Sequence, residues 1–124
     1  MNVLVTGGCG YIGSALVPML QADDAVDGVT ILDTLSSGSP RALLGTLSPA
    51  EGDEDGASDA DDSRAAVDFR RGDVREYGDV ENAMREVDTV MHLAAITGAA
   101  STHDRRDETF DVNYEGTENV VRAD

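Results

Sequence analysis

Lysine is absent from this 124-residue chain, and all nine of its basic side chains are arginines. They are opposed by 25 acidic residues, which gives a formal net charge of −16 at pH 7. Such a negative field repels nucleic acid and anionic membranes, so we expect neither as a partner. Acids spread along a chain without lysine are typical of proteins from salt-loving microbes, where molar salt screens self-repulsion. We therefore predict a halophilic protein; a mesophilic protein with one acidic loop is the alternative.

Cysteine and long apolar segments are also scarce. The single cysteine, Cys9, cannot form an internal disulfide, which favours a reducing cytoplasmic setting. No apolar run approaches the roughly 18 residues that span a bilayer. Met1 leads directly into an apolar segment without the basic region of a secretory signal. We expect a cytoplasmic protein with one domain and a modest core.

Two kinds of apolar pattern alternate along the chain. Short runs rich in β-branched residues predict four buried strands, over residues 2–6, 29–33, 67–70 and 88–93. Apolar residues at three- and four-residue steps predict three helices, over residues 11–22, 79–86 and 105–123. Pro18 is expected to kink the first helix or delay its start. This alternation is typical of a parallel sheet covered by helices on both faces.

The helical patterns also predict which side chains face inward. For the first helix these are Ile12, Ala15, Leu16, Met19 and Leu20. For the second they are Val80, Ala83, Met84 and Val87, with Glu81 and Arg85 paired outside. For the third the repeating positions are Phe110, Val112, Asn113, Thr117, Val120 and Val121.

An acidic stretch at about 48–64 separates the second and third predicted strands. Alanine is almost its only apolar residue type, so the stretch cannot bury surface and we predict a disordered insertion. Cation binding is the functional alternative, but the spacing does not match an EF-hand. We assign no metal ligand in the chain.

A glycine-rich turn follows the first predicted strand. Gly7, Gly10 and Gly13 stand where a tight turn, close approach of phosphate to backbone and close packing of helix on strand would each need glycine. The N–H groups at the start of the helix, where Tyr11 and Ile12 lie, would meet the phosphates. Cys9 also lies near this helix start, a position that can lower the pKa of a thiol.

Asp33 lies about 20 residues beyond Gly13, at the end of the second predicted strand. A carboxylate there can accept both ribose hydroxyls of an adenosine, which together with the glycine turn predicts a Rossmann-type domain that binds NAD. It would repel a 2′-phosphate, and Arg41 is the only base nearby in the sequence, so NAD is favoured over NADP. A turn-forming acid is the alternative role. We expect an incomplete sheet of about four strands in the order 3-2-1-4.

Five motifs occur in one order along the chain: Gly-x-x-Gly-x-x-Gly at 7–13, Leu-Asp-x-Leu-Ser-Ser-Gly at 32–38, Gly-Asp-Val-Arg at 72–75, His-Leu-Ala-Ala at 92–95 and Asn-x-x-Gly-Thr-x-Asn-Val at 113–120. In these the sequence resembles the N-terminal part of the extended short-chain dehydrogenase/reductases, in particular the NAD-dependent epimerase/dehydratases that act on sugar nucleotides. The resemblance covers nearly all of the chain outside residues 39–66.

The resemblance implies a set of cofactor contacts. Asp73 and Val74 would contact adenine, the segment at 92–95 would run beneath the nicotinamide half, and Asn113 would support the site from a helix. Asp73 could instead cap a turn, and we give His92 no catalytic role. The implied cofactor-binding residues are Gly7, Gly10, Tyr11, Ile12, Gly13, Asp33, Ser36, Ser37, Gly38, Asp73, Val74, Leu93, Ala94, Ala95 and Asn113.

The family's catalytic Tyr-x-x-x-Lys dyad is missing, because the chain contains no lysine. Tyr11, Tyr77 and Tyr114 are followed four residues later by alanine, glutamate and glutamate. We assign no catalytic residue and expect the catalytic half and the substrate domain to be absent from this chain. The 88–93 strand would then be an exposed sheet edge.

Three functions remain open on these grounds. The chain is the NAD-binding part of a sugar-nucleotide epimerase/dehydratase-type oxidoreductase, a non-catalytic NAD-binding regulatory module, or a truncated remnant. A nucleoside diphosphate sugar is expected as a partner only if the missing half exists. A homodimer of the full-length protein stays open.

Overall fold

The computed structural model describes residues 1–36 and 64–124, with the side chains of residues 99–101 outside that description. Three of the features named above, namely Ser37, Gly38 and Arg41, lie outside the described residues. The same holds for the predicted acidic insertion at about 48–64, apart from its last residue.

Within residues 1–36 and 64–124, four parallel strands form one sheet. Their bounds are Asn2–Thr6 (β1), Gly28–Asp33 (β2), Ala66–Arg71 (β3) and Thr89–His92 (β4). The spatial order is β3-β2-β1-β4, which confirms the predicted order. β1 pairs with β2 on one side and with β4 on the other, so the first strand lies inside the sheet.

The helical elements comprise five α-helices and one π-helical turn among the described residues. Their bounds are Tyr11–Gln21 (α1), Tyr77–Ala83 (α2), Ala99–Asp104 (α3), Arg106–Phe110 (α4), Asp111–Glu115 (the π turn) and Gly116–Ala123 (α5). The single helix predicted over 105–123 is therefore divided. Arg105, with φ −133° and ψ 48°, separates α3 from α4, and the π turn interrupts the segment that follows.

Two hydrophobic clusters cover the two faces of the sheet. Successive side chains of a strand point to opposite faces, so Val3 and Val5 of β1 belong to one cluster, whereas Leu4 belongs to the other. The first cluster includes Val17 and Leu20 of α1. The second cluster includes side chains of α2 and α5, namely Val80, Ala83 and Val120. Helices therefore cover both faces, as the sequence predicted.

The inward face of α1 differs from the prediction. Ile12 and Met19 are 65% and 70% exposed, and Ala15 is exposed as well. Leu20 is buried as predicted, and Leu16 packs partly buried against the core, but the other buried residues are Gly13, Val17 and Gln21. A Cβ at Gly13 would lie 2.6 Å from the carbonyl oxygen of Gly7, so the helix touches the glycine turn at this position. Because of that contact, the side of α1 that carries residues 13, 17 and 20 faces the sheet.

Pro18 neither delays nor ends α1, which begins at Tyr11 and continues to Gln21. Similar differences occur on the last helical segment, where Phe110 and Val121 are exposed and Asn119 is buried. In α2, Val80 and Ala83 are buried as predicted. No helix within the two described ranges is long and apolar enough to cross a bilayer.

Candidate functional site

One cleft lies at the carboxyl ends of the strands, where parallel α/β sheets bind ligands. Its volume of about 180 Å³ is below the roughly 300–1,000 Å³ of typical ligand pockets, so these residues enclose only part of a dinucleotide. Nine of the residues named from the sequence line it together: Gly7, Gly10, Asp33, Ser36, Asp73, Val74, Leu93, Ala94 and Ala95. Tyr11, Ile12, Gly13 and Asn113 are not among its lining residues.

The glycine turn lies directly against the segment that follows β4. Gly7 has φ +71°, a left-handed conformation that favours glycine, and a Cβ there would lie 2.8 Å from the backbone nitrogen of Ala94. The Gly7 N–H donates to the carbonyl of Leu32 at 2.8 Å. The turn is thereby hydrogen-bonded to the end of β2 and lies against the segment after β4. Its backbone forms one wall of the cleft.

The first turn of α1 presents backbone rather than side chains. Gly10 is the N-cap and has no side chain that could cap the helix. The Tyr11 side chain is 96% exposed, and no acid occupies the first turn. The first N–H groups of a helix have no partner within it and attract anions. Any contact of Tyr11 or Ile12 with a phosphate would therefore be made by the backbone.

Asp33 is bonded to the glycine turn. Its Oδ2 accepts the N–H of Cys9 at 2.9 Å, and its Oδ1 accepts the N–H of Leu35 at 2.8 Å. Each carboxylate oxygen thus has a fixed direction and retains acceptor capacity for another donor. The arrangement suits a pair of neighbouring hydroxyls. The alternative role of a turn-forming acid is also present, because the bond to Leu35 closes an Asx turn.

Cys9 is buried, and its thiol is less acidic than its position at a helix start suggested. Burial and the neighbouring charge of Asp33 raise the pKa of Cys9 to about 11. Its side chain belongs to the hydrophobic cluster between the sheet and α1. The thiol is therefore neutral at physiological pH and packs as an apolar group.

The buried hydroxyl of Thr6 connects β1 to β4. It accepts the N–H groups of Leu93 and Ala94 at 3.1 and 3.2 Å, which leaves its proton for Nδ1 of His92 at 2.7 Å. Nε2 of His92 then carries the ring proton and donates to the Thr117 hydroxyl at 3.1 Å. Burial lowers the pKa of His92. The histidine therefore connects the sheet to α5.

Asn113 holds the chain segment that leaves β4. Its side-chain oxygen accepts the N–H of Ile96 at 2.8 Å, and its side-chain nitrogen donates to the carbonyl of Ile96 at 3.0 Å. This paired contact supports the segment at 93–96 from behind the cleft. Asn113 thus affects the site indirectly, through its hydrogen bonds to the backbone of Ile96.

The opposite end of the cleft contains a close ion pair. The guanidinium of Arg75 donates to both carboxylate oxygens of Asp73, with a shortest distance of 2.6 Å. These hydrogen bonds hold the pKa of Asp73 below its usual value. Asp73 is consequently an ionised acceptor at the cleft wall, next to Val74.

A comparison with protein families identifies the chain. The model of the "NAD dependent epimerase/dehydratase family" matches residues 3–123. The chain belongs to this family. The resemblance found in the sequence motifs is thereby confirmed.

Individual proteins are similar to the chain, two of them in fold and one in sequence. A UDP-glucose 4-epimerase from Thermus thermophilus in complex with NAD is 32% identical, with a TM-score of 0.73 over 99% of this chain and 33% of its own. The dTDP-glucose 4,6-dehydratase DesIV from Streptomyces venezuelae, with NAD and TYD bound, is 28% identical, with a TM-score of 0.78 over 99% of this chain and 35% of its own. A 3-beta-hydroxysteroid dehydrogenase from Mycolicibacterium neoaurum is 32% identical over 98% of this chain and 28% of its own. The chain spans about a third of the length of the relatives it matches.

Several cleft residues of this family member were missed by the sequence analysis. Arg75 belongs to the quoted Gly-Asp-Val-Arg motif, and its position two residues after Asp73 was the signal that could have found it. Arg105 and Glu108 form an ion pair at the rim, with a shortest distance of 2.7 Å. Only tertiary structure brings that pair to the cleft. Arg71 pairs with Asp33 in strand register, so the sheet places beside this acid a base that is distant from it in the sequence.

Proposed function

We propose that residues 1–124 are the N-terminal, NAD-binding part of an epimerase- or dehydratase-type oxidoreductase that acts on a nucleoside diphosphate sugar. The supporting observation is the hydrogen bond between Cys9 and Asp33 at 2.9 Å. It joins the glycine turn to the acid that ends β2 at one cleft wall, as recognition of a pyrophosphate and its ribose requires. Family membership supports the reaction class.

In this proposal each part of NAD meets a different part of the cleft. The glycine turn and the first N–H groups of α1 hold the pyrophosphate, and Asp33 accepts the adenosine ribose hydroxyls. Asp73 and Val74 contact adenine, and the segment from Leu93 to Ala95 lies beneath the nicotinamide half. Ser36 contributes at the edge. The contacts of Ser37 and Gly38 that the resemblance implies fall outside the described residues.

Bound NAD would supply a hydride acceptor for a sugar carbon. The residues of this chain bind and orient it. A tyrosine and lysine that could exchange the proton of a substrate hydroxyl would belong to another part of the protein, because this chain has no lysine. We therefore propose that the catalytic dyad and the substrate domain lie beyond residue 124 in a longer product.

A non-catalytic NAD-binding module is the second candidate. It would account for the lack of lysine, which rules out the family's dyad within these residues, but family membership favours the enzyme. The intact mass of the native product separates the two candidates, because the module has a mass of 13.0 kDa whereas the enzyme is larger. A downstream peptide with Tyr-x-x-x-Lys would decide for the enzyme.

We also propose a cytoplasmic, salt-adapted setting and a homodimer of the full-length protein. The net charge of −16 and the lack of lysine support adaptation to salt. The single, buried cysteine fits a reducing compartment. Exposed Phe110 and Tyr114 stack on each other with ring centres 5.1 Å apart and offer an apolar patch for a second subunit.

Calorimetric titration of the folded protein with NAD in molar potassium chloride tests the proposed function. We expect saturable binding with one NAD per chain. A folded protein that takes up no NAD would contradict both the enzyme and the module. Circular dichroism of the same sample establishes that the protein is folded, so that a lack of binding cannot be attributed to unfolding.

A further inference from the structure

A short turn between β3 and α2 forms the adenine end of the proposed NAD site. This turn, residues 72–76, closes on itself through a bond from the Glu76 N–H to the Asp73 carbonyl at 2.9 Å. Asp73 and Val74 both line the cleft, and in the proposed site the carboxylate of Asp73 and the N–H of Val74 would be the acceptor and the donor that meet adenine. The contacts that orient Asp73 and Val74 therefore determine which base these two residues recognise.

Asn119 reaches this turn from α5, 45 positions along the chain from Val74. Its side-chain nitrogen donates to the carbonyls of Val74 and Arg75, both at 2.9 Å. The residue is 8% exposed, so water does not replace these bonds easily. One amide group thus satisfies two successive carbonyls, which requires both of its N–H donors.

Two further contacts fix the same turn. A Cβ at Gly116 would lie 2.6 Å from a methyl carbon of Val74, so α5 packs directly on the turn one helical turn before Asn119. From the other side, Oδ2 of Asp79 in α2 accepts the N–H of Asp73 at 3.0 Å. Two carbonyls of the turn are thus held by α5, and the N–H of Asp73 is held by α2.

We propose that Asn119 is a positioning residue that gives the 72–76 turn its preference for adenine. Adenine presents an amino donor beside a ring-nitrogen acceptor, which complements a carboxylate followed by a backbone N–H. Hypoxanthine presents a carbonyl acceptor and a ring N–H donor at the same edge, which is the reverse order. Discrimination between the two bases depends on the direction of the turn, and Asn119 sets that direction. The inference rests on the proposed NAD site.

The test compares dissociation constants for NAD and for nicotinamide hypoxanthine dinucleotide, measured by calorimetry on the full-length protein. The unsubstituted protein is expected to bind NAD at least about tenfold more tightly, as one hydrogen bond to a charged group allows. Asn119→Asp keeps the shape of the side chain but removes both donors. We expect it to reduce the preference to about threefold or less.

Asn82→Asp is the matched control, because Asn82 is an exposed residue of α2. It should keep the full preference for NAD. A merely structural role of Asn119 would weaken the two dinucleotides equally, and an equal loss or an unchanged ratio would overturn the inference. If Asn119→Asp does not fold, Asp79→Ala decides in the same way, since it releases the Asp73 N–H from the other side.

The two proposals fail differently in this experiment. A folded, unsubstituted protein that binds neither dinucleotide removes the NAD site and this inference together. Tight NAD binding with a preference that survives in Asn119→Asp and in Asp79→Ala removes the inference alone.

Discussion

The carboxylate of Asp33 accepts a hydrogen bond from the backbone N–H of Cys9 at 2.9 Å, so the end of β2 is bonded to the turn that follows β1. The two residues are 24 positions apart in the chain. Because β1 and β2 are parallel neighbours, their carboxyl ends meet at one edge of the sheet. The bond orients an acid and a row of backbone donors toward the same cleft.

Substitution of Thr6 by valine should destabilise the fold. Valine keeps the shape of the side chain but leaves Nδ1 of His92 and the N–H of Ala94 without their partner. An unsatisfied buried polar group costs about 1–3 kcal/mol, so we expect the free energy of unfolding to fall by about that amount. Denaturant titration measures it. Thr30→Val, at a half-buried position of β2, is the control and should change stability far less.

Stability should decrease in mild acid because of His92. Its pKa is lowered in the folded protein from an ordinary value of 6.5, so below that pH the unfolded chain binds more protons than the folded one. The contribution of His92 to the free energy of unfolding is therefore fully present above pH 6.5 and is lost as the pH falls toward the lowered pKa.

Thermal denaturation between about pH 8 and pH 5 measures this loss. His92→Gln removes the titrating group and should flatten the curve in that interval. His103→Gln, at an exposed position, should leave it unchanged. An equally steep curve for His92→Gln would show that another group causes the loss.

The thiol of Cys9 should resist modification in the folded protein. It is 2% exposed, and its pKa is raised to about 11. Since the thiolate is the reactive form, we expect a disulfide reagent at pH 8 to react at least about a hundredfold more slowly than with the chain unfolded in guanidinium. Rapid reaction of the folded protein would mean that the glycine turn opens readily.

Added potassium chloride should stabilise the fold. Salt at molar concentration shortens the screening length to about 3 Å, which weakens the repulsion within a chain of net charge −16. We expect the melting temperature to rise steadily from 0.1 M to molar salt, by about 10 °C or more. Sucrose at matched osmolality is the uncharged control. A flat salt response would contradict the salt-adapted setting.

Local sequence patterns predicted the features that depend on neighbours in the chain. The β-branched run at 2–6 gave β1 with its bounds, and the distance from Gly13 to Asp33 placed that acid at the end of β2. The strand order followed from the Rossmann-type fold that the glycine turn and Asp33 indicate. Each of these depends on a spacing or period that the sequence displays directly.

Features that depend on tertiary contact could not be predicted in that way. The inner face of α1 is set by Gly13 against the carbonyl of Gly7, a contact that hydrophobicity does not record. Asn119 is buried although it is polar, because two carbonyls of a distant turn accept its protons. Arg105 reaches the cleft rim only through the break between α3 and α4.

The relative affinity for NAD and NADP in Asp33→Ser tests the central claim most directly. In the unsubstituted protein the carboxylate should accept the ribose hydroxyls and repel a 2′-phosphate, so calorimetry should give NAD an advantage of about a hundredfold or more. Serine removes the charge, and Arg71, which pairs with residue 33 in strand register, would then attract the phosphate. We expect the advantage to fall to about tenfold or less, with Glu81→Ser, at an exposed position of α2, as an acidic control that keeps the NADP exclusion. An advantage for NAD that is unchanged in Asp33→Ser would contradict the account.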